Sequence, residues 1–188
     1  METHVPNREE AFLLLKEFNS SESLIKHALA VEGVMCYMAG LHGEDAVKWG
    51  IVGLVHDLDY ERYPDQHCRK TAEILVERGW PAEYIRAVQS HGWGICNDIE
   101  PCTLLEKTLY AVDELAGIIT ACALVRPSRS VMDLEASSVR KKWKQKGFAA
   151  GANRTVIEKG AAMLGVELDT LVINVIMGMR EVAQSIGL

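Results

Sequence analysis

Apolar residues recur at spacings of three and four along almost the whole chain, and no stretch of useful length alternates with the period of two that a half-buried strand requires. That pattern predicts an all-α fold. Asn7 is placed to cap a first helix running through Phe18. Ser20 or Ser21 is placed to cap a second, in which Leu24, Val31, Val34, Met35 and Met38 form one stripe before Gly40 and Gly43 break it. A third helix is predicted from Glu44 to His56, with Trp49, Val52 and Val55 inward, ending in the turn-prone stretch Asp57 to Gln66 that contains Pro64. Two shorter helices follow, one from Cys68 to Arg78 stopped by Gly79, the other opened by Pro81 and closed near Gly92. After a loop around Asn97 to Pro101, a long apolar helix runs from Leu104 to Val125 and stops before Pro127. A basic segment, Arg140 to Lys146, and a Gly/Ala loop precede two amphipathic helices, Thr155 to Leu164 and Asp169 to Ile186.

A chain of 188 residues can bury one sizeable core, and no Pro/Ser/Gly-rich linker, internal repeat or low-complexity tract divides this one. It reads as one domain over 1–188. The formal net charge of -6 argues against a protein that coats nucleic acid, which needs a strongly basic surface, but leaves room for a specific nucleotide pocket. Met1 to Arg8 is polar and lacks the apolar core of a signal peptide, and no uncharged apolar stretch reaches the roughly 18 residues of a membrane span. A cytoplasmic protein without membrane association is expected. The five cysteines, Cys36, Cys68, Cys96, Cys102 and Cys122, contain no CxxC pair and read as reduced, buried or half-buried thiols, not a disulfide framework, a zinc-thiolate site or an activated nucleophile.

The histidines and two aspartates occupy telling places on these helices. His27 lies three residues after Leu24 and four before Val31, in the buried stripe of the second helix. His56 follows Val52 by four, and Asp57 comes next, where the chain turns and a carboxylate can point back at the same centre. His91 is in step with Ile85 and Val88, while Asp113 interrupts the stripe Leu105, Leu109, Val112 and Ala116. A lone histidine in such a stripe is ordinarily a hydrogen-bonded core residue. Several histidines and a carboxylate on the buried faces of different helices need a common explanation, because an isolated buried charge costs on the order of several kcal/mol unless paired or coordinated. One shared metal centre satisfies them together.

The order His27, the doublet His56-Asp57, then Asp113 resembles the H…HD…D pattern of the HD-domain metalloproteins, a helical superfamily rich in phosphohydrolases. The segments HALAVEGVM, GLVHDLDYERYP and AVDELAGII look like that family's surroundings of its ligands, and the resemblance spans about residues 21–125, with residues 126–188 then packing on that core. His67 and His91 are similar to the two additional histidines of the family's dinuclear branches. The resemblance therefore implies that His27, His56, Asp57 and Asp113 hold one divalent ion and that Asp57, His67 and His91 hold a second, with Asp57 bridging. His67 alone also fits a surface residue that opens a helix. His4 and His42 match no motif position and are expected at the surface.

Imidazole and carboxylate without thiolate suit Mn, Fe, Co, Ni, Zn or Mg. Two such ions would outweigh the charges of Asp57 and Asp113 and favour a small anionic, phosphorylated substrate, and a metal pair roughly 3.5 to 4 Å apart suits phosphoester hydrolysis by a metal-bound hydroxide that Asp57 bridges and orients. The HDIG-like resemblance thus implies a metal-dependent phosphohydrolase acting on a nucleotide or another small phosphorylated metabolite. With no GxxxxGK[ST] loop and no dinucleotide fingerprint, phosphate recognition falls to the metals and to basic side chains, with Arg126 as the substrate-binding candidate. The cluster Arg140, Lys141, Lys142, Lys144 and Lys146 reads better as a solvated helix face. HDLDY stands where cyclic-dinucleotide phosphodiesterases have HDIGK, so Tyr60 takes the lysine position, and a GYP tripeptide is absent; both argue against that substrate class. Two other readings stay open: a di-iron oxygenase of the same superfamily, and a noncatalytic metal-binding regulatory module.

Overall fold

A computed structural model describes residues 3–145 and 147–188. Its helices are α1 (Arg8–Phe18), α2 (Glu22–His42), α3 (Ala46–Val55), α4 (Arg69–Glu77), α5 (Ala82–Ser90), α6 (Leu104–Leu124), α7 (Ala136–Trp143), α8 (Arg154–Leu164), α9 (Leu168–Glu181) and the short α10 (Ala183–Ile186). A 3-10 turn, Pro64–Gln66, follows α3. Among the described residues the β content is one isolated bridge, Trp93 to Asn97. The fold is all-α.

Local chemistry explains most of the boundaries. Asn7 accepts from the Glu10 amide while Glu10 reaches back to the Asn7 amide, a reciprocal cap that satisfies two of the free N–H groups at the start of α1. Asp45 accepts from Val47 and Lys48, so α3 begins at Ala46 and not at Glu44. Gly40 continues α2, and the helix ends at Gly43, whose φ of +69 lies in the left-handed region. The start of α2 is capped from a distance: Ser20 and Ser21 donate their amides, and Ser20 its hydroxyl, to Glu61 in the turn after α3. The basic segment begins in the last turn of α7, a helix that buries Val139; Arg140 and Lys141 on the helix and Lys144 just after it are exposed, and Lys146 lies outside the described residues. The last helix breaks at Val182 into α9 and α10.

Helix α2 is central, packing on α3, α6 and α9, while α6 also meets α5, α7 and α8. Their shared core contains the fully buried Met35, Ile51, Leu54, Leu109, Leu115 and Ile118. Two glycines let backbones approach closely: a Cβ on Gly160 of α8 would lie 2.6 Å from the Ala111 Cα of α6, and one on Gly178 of α9 would lie 2.6 Å from the Val34 Cα of α2. Arg8 closes a fork on the buried Glu32 at 2.6 and 2.9 Å, fixing α1 to α2. Helix α2 is long and apolar enough to cross a membrane by length and composition, yet half of its most apolar window is buried inside the protein.

Candidate metal centre

The functional side chains come from helix ends and helix interiors that converge. His27 comes from the first turns of α2 and Asp113 from the middle of α6. His56 and His91 are the residues that cap the C-termini of α3 and α5, and both use the same local device. A helix leaves its last carbonyls without intrahelical partners. His56 donates its Nδ1 hydrogen to the Gly53 carbonyl at 2.8 Å, and His91 donates its own to the Val88 carbonyl. A carbonyl only accepts, so Nδ1 of each ring carries a hydrogen and Nε2 is the atom left to face the interior.

The third histidine reaches the same state by another route. His67 follows the Pro64–Gln66 turn and donates from Nδ1 to Asp59 Oδ1 at 2.8 Å. Asp59 is fully buried; its Oδ2 accepts from the Thr71 amide at 2.8 Å, and its own amide donates to the Thr71 hydroxyl at 3.1 Å. This carboxylate–histidine pair fixes both the ring orientation and the tautomer of His67, as outer partners do for metal-binding histidines. Neither Asp59 nor Thr71 was singled out in the sequence. The available signal was a carboxylate two residues beyond the doublet, in a turn that has to supply partners for its own buried groups.

The ligand-type atoms form two groups. His27, His56, Asp57 and Asp113 each offer one ligand atom, and these atoms all lie within 4.8 Å of one another. Asp113 Oδ1 is 2.9 Å from His27 Nε2 and 3.1 Å from His56 Nε2, and Asp57 Oδ2 is 3.9 and 3.4 Å from the same two atoms. In the second group Asp57 Oδ1 lies 3.5 Å from His67 Nε2 and 3.4 Å from His91 Nε2, which are 3.2 Å from each other. Asp57 therefore turns one oxygen to each group.

Electrostatics follow from this crowding. Burial opposes charge on His56, but the Asp57 and Asp113 carboxylates raise its pKa well above the ordinary 6.5. His67 is raised too, against burial, by its bond to Asp59 and by the Asp57 charge. Burial works against ionisation of Asp57 and Asp113, yet His56 brings both below the ordinary carboxylate value, joined by His91 at Asp57 and by His27 at Asp113. Lone pairs and carboxylate oxygens that face one another call for a cation, which a proton or a metal ion can provide. The donor set, imidazole nitrogen plus carboxylate oxygen at mutual spacings under 5 Å, fits a divalent ion in each group.

The centre opens into a cleft of about 400 Å³, with His27, Asp57, His67, His91 and Asp113 in its lining and Tyr60, Ile95 and Glu114 at its walls. Glu114 is half-buried, and burial followed by the neighbouring Asp113 pushes its pKa up. No described Lys or Arg lines this cleft.

The chain matches no protein-family model and no solved structure. What stands is an all-helical fold with a His/Asp cluster that can hold a metal, an arrangement compatible with an HD-type architecture.

Other sequence expectations fall differently. Arg126 lies past the end of α6, whose stretch from Asp113 to Leu124 spans about 16 Å at roughly 1.5 Å per residue. Its guanidinium grips Asp133 at 2.9 and 3.1 Å, and it does not line the cleft. His4 and His42 are exposed. Cys68 and Cys122 are buried and Cys36 is half-buried, but Cys96 and Cys102 are exposed. Cys68 and Cys96 also bring thiols beside the centre, where with His67 they form a third group of ligand-type atoms within 4.8 Å.

Proposed function

We propose that the chain is a metal-dependent phosphohydrolase of HD-domain type, acting on a nucleotide or another small phosphorylated metabolite. The observation that carries this reading is the division of Asp57: Oδ2 faces His27, His56 and Asp113, and Oδ1 faces His67 and His91. A carboxylate so placed can bridge two ions, and a bound ion pair would supply Lewis acidity toward a phosphoryl oxygen and lower the pKa of water.

The protein's own part is to hold and orient. His56 and His91 are locked by backbone carbonyls and His67 by Asp59, so three imidazoles meet an arriving cation with their lone pairs already directed. Asp57 and Asp113 stay ionised and offset the added charge. Because the cleft wall carries Glu114 and, among the described residues, no Lys or Arg, attraction for an anionic substrate would come from the metals themselves. Tyr60 and Ile95, exposed at the rim, are placed to contact the non-phosphate part of a small ligand.

The test is a panel of phosphomonoesters and phosphodiesters assayed with chelator-stripped protein reloaded separately with Mn, Fe, Co, Ni, Zn and Mg. Turnover that requires a metal and disappears in Asp57→Ala supports the proposal. If no phosphoester is cleaved with any ion while iron-loaded protein consumes dioxygen, the oxygenase reading replaces it; metal binding with neither activity leaves the regulatory module.

A further inference from the structure

The loop after α5 brings a second kind of chemistry to the edge of the centre. Cys68, directly after His67, places its Sγ 2.9 Å from Cys96 Sγ and 3.9 Å from His91 Nε2. Less than 1 Å separates that sulfur–sulfur distance from the about 2.05 Å of a disulfide bond. The backbone around the pair is arranged for this approach. Cys68 holds a φ of +65, a conformation that side-chain-bearing residues rarely adopt. A Cβ on Gly92 would lie 2.3 Å from Cys96 Sγ and 2.5 Å from Cys68 Sγ, so only glycine leaves room for the two thiols to meet. Asn97 ties the loop back to α5 by donating to the Gln89 carbonyl at 2.7 Å. The partners differ in access: Cys96 is exposed, and Cys68 is buried.

We propose that Cys68 and Cys96 are a redox-modification site that closes into a reversible disulfide on exposure to a peroxide. Access assigns the order of events. The Cys96 thiol gives its proton to solvent and the thiolate attacks one peroxide oxygen; the O–O bond breaks, Cys96 becomes a sulfenic acid, and the departing hydroxide takes up a proton from solvent to leave as water. The Cys68 sulfur then attacks the Cys96 sulfur, the S–O bond breaks, and the sulfenic oxygen departs as a second water with the Cys68 proton. Two thiols lose two electrons and the peroxide gains them. A dithiol reductant reverses the step by exchange. The bridge would join the start of α4 to the loop after α5, beside His67 and His91, so an oxidant would act on the part of the fold that carries the second ligand group. Neither the bridge nor its chemistry requires the hydrolase reading.

The experiment treats the full chain with hydrogen peroxide, blocks free thiols after unfolding, and reads intact mass and the non-reduced peptide map. The expected result is a Cys68–Cys96 linked peptide that disappears on reduction, in a chain that has lost two thiol hydrogens, about 2 Da, and carries blocking groups on three of its five cysteines. Cys96→Ser, at an exposed position, should abolish the linked peptide, and Cys102→Ser should leave it. Full alkylation of both Cys68 and Cys96 after treatment, or oxygen addition to Cys96 without cross-linking, would overturn the proposal. The readout needs no enzyme activity, so its failure is distinguishable from failure of the hydrolase reading.

Discussion

His67 and His91 direct their Nε2 atoms at one another across 3.2 Å, although each ring has already given its Nδ1 hydrogen to another acceptor, Asp59 for His67 and the Val88 carbonyl for His91. Two neutral imidazoles in that state cannot hydrogen-bond to each other. A cation has to lie between them and Asp57, or a proton has to be taken up.

The first prediction follows for the metal-free chain. The raised pKa values of His56 and His67 contribute stability that is fully present below their unfolded value near 6.5 and is lost as pH rises through the higher folded values. Asp57 and Asp113, depressed below 3.8, contribute stability present above that value and lost as pH falls through their folded values. Chelator-treated protein should therefore melt at its highest temperature between those limits and at progressively lower temperature above pH 6.5. Added divalent ion should stabilise most at the alkaline end, where no proton competes for the imidazoles. A metal-free melting temperature that rises steadily from about pH 6.5 to about pH 9 would contradict this.

Asp59→Asn keeps the side chain's size but removes the charge that holds His67. The affinity for the second ion should fall about 10–100-fold, with the first ion bound as before. Calorimetric titration resolves the two events. Equal loss at both would mean that Asp59 supports the fold as a whole, and no loss at either would mean that His67 needs no orienting partner.

Helix packing is tested by two glycines that should respond with opposite sign. Gly160→Ala forces a methyl against Ala111 of α6, two residues before Asp113, and should cost about 1–3 kcal/mol. Gly40→Ala meets nothing within 4 Å inside α2 and should add about 0.5–1 kcal/mol through helix propensity. Urea unfolding of the two variants gives the comparison, and a Gly160→Ala protein as stable as the parent would show that α8 shifts freely.

The inward placement of four of these residues was legible in the sequence because it rests on periodicity, whereas His67 and the division into two groups came from the family resemblance alone. His27, His56, His91 and Asp113 sit in step with apolar neighbours, and a helix carries that phase directly into space. Helix ends were legible where a single residue decides them, as at Asn7 and at the glycine after α2. What escaped depends on contacts between distant segments. The cap of α2 by Glu61 requires the turn after α3 to lie beside Ser20. The role of Asp59 depends on where His67 and Thr71 come to rest, and the meeting of Cys68 with Cys96 spans two helices. Helix α7 carries one buried residue, Val139, too little to form a stripe.

Arg126 was the side chain the sequence offered for phosphate, and its pairing with Asp133 away from the cleft changes that expectation. Arg126→Ala should leave phosphoester turnover within about twofold of the parent, while Asp57→Ala, folded by circular dichroism, should lose roughly a hundredfold or more. Kinetics on the best substrate of the panel separates the two. A large rise in KM for Arg126→Ala would return that residue to the site.

The most direct measurement is the equilibrium binding of Mn or Zn to the chelator-stripped chain, followed by elemental analysis of the parent and of the His67→Ala, His91→Ala double variant. If Asp57 joins two sites, the parent should bind close to two ions per chain and the double variant one, because only the second group loses its imidazoles. A parent that binds no ion above background, or a double variant that binds as much metal as the parent, would contradict the two-ion centre.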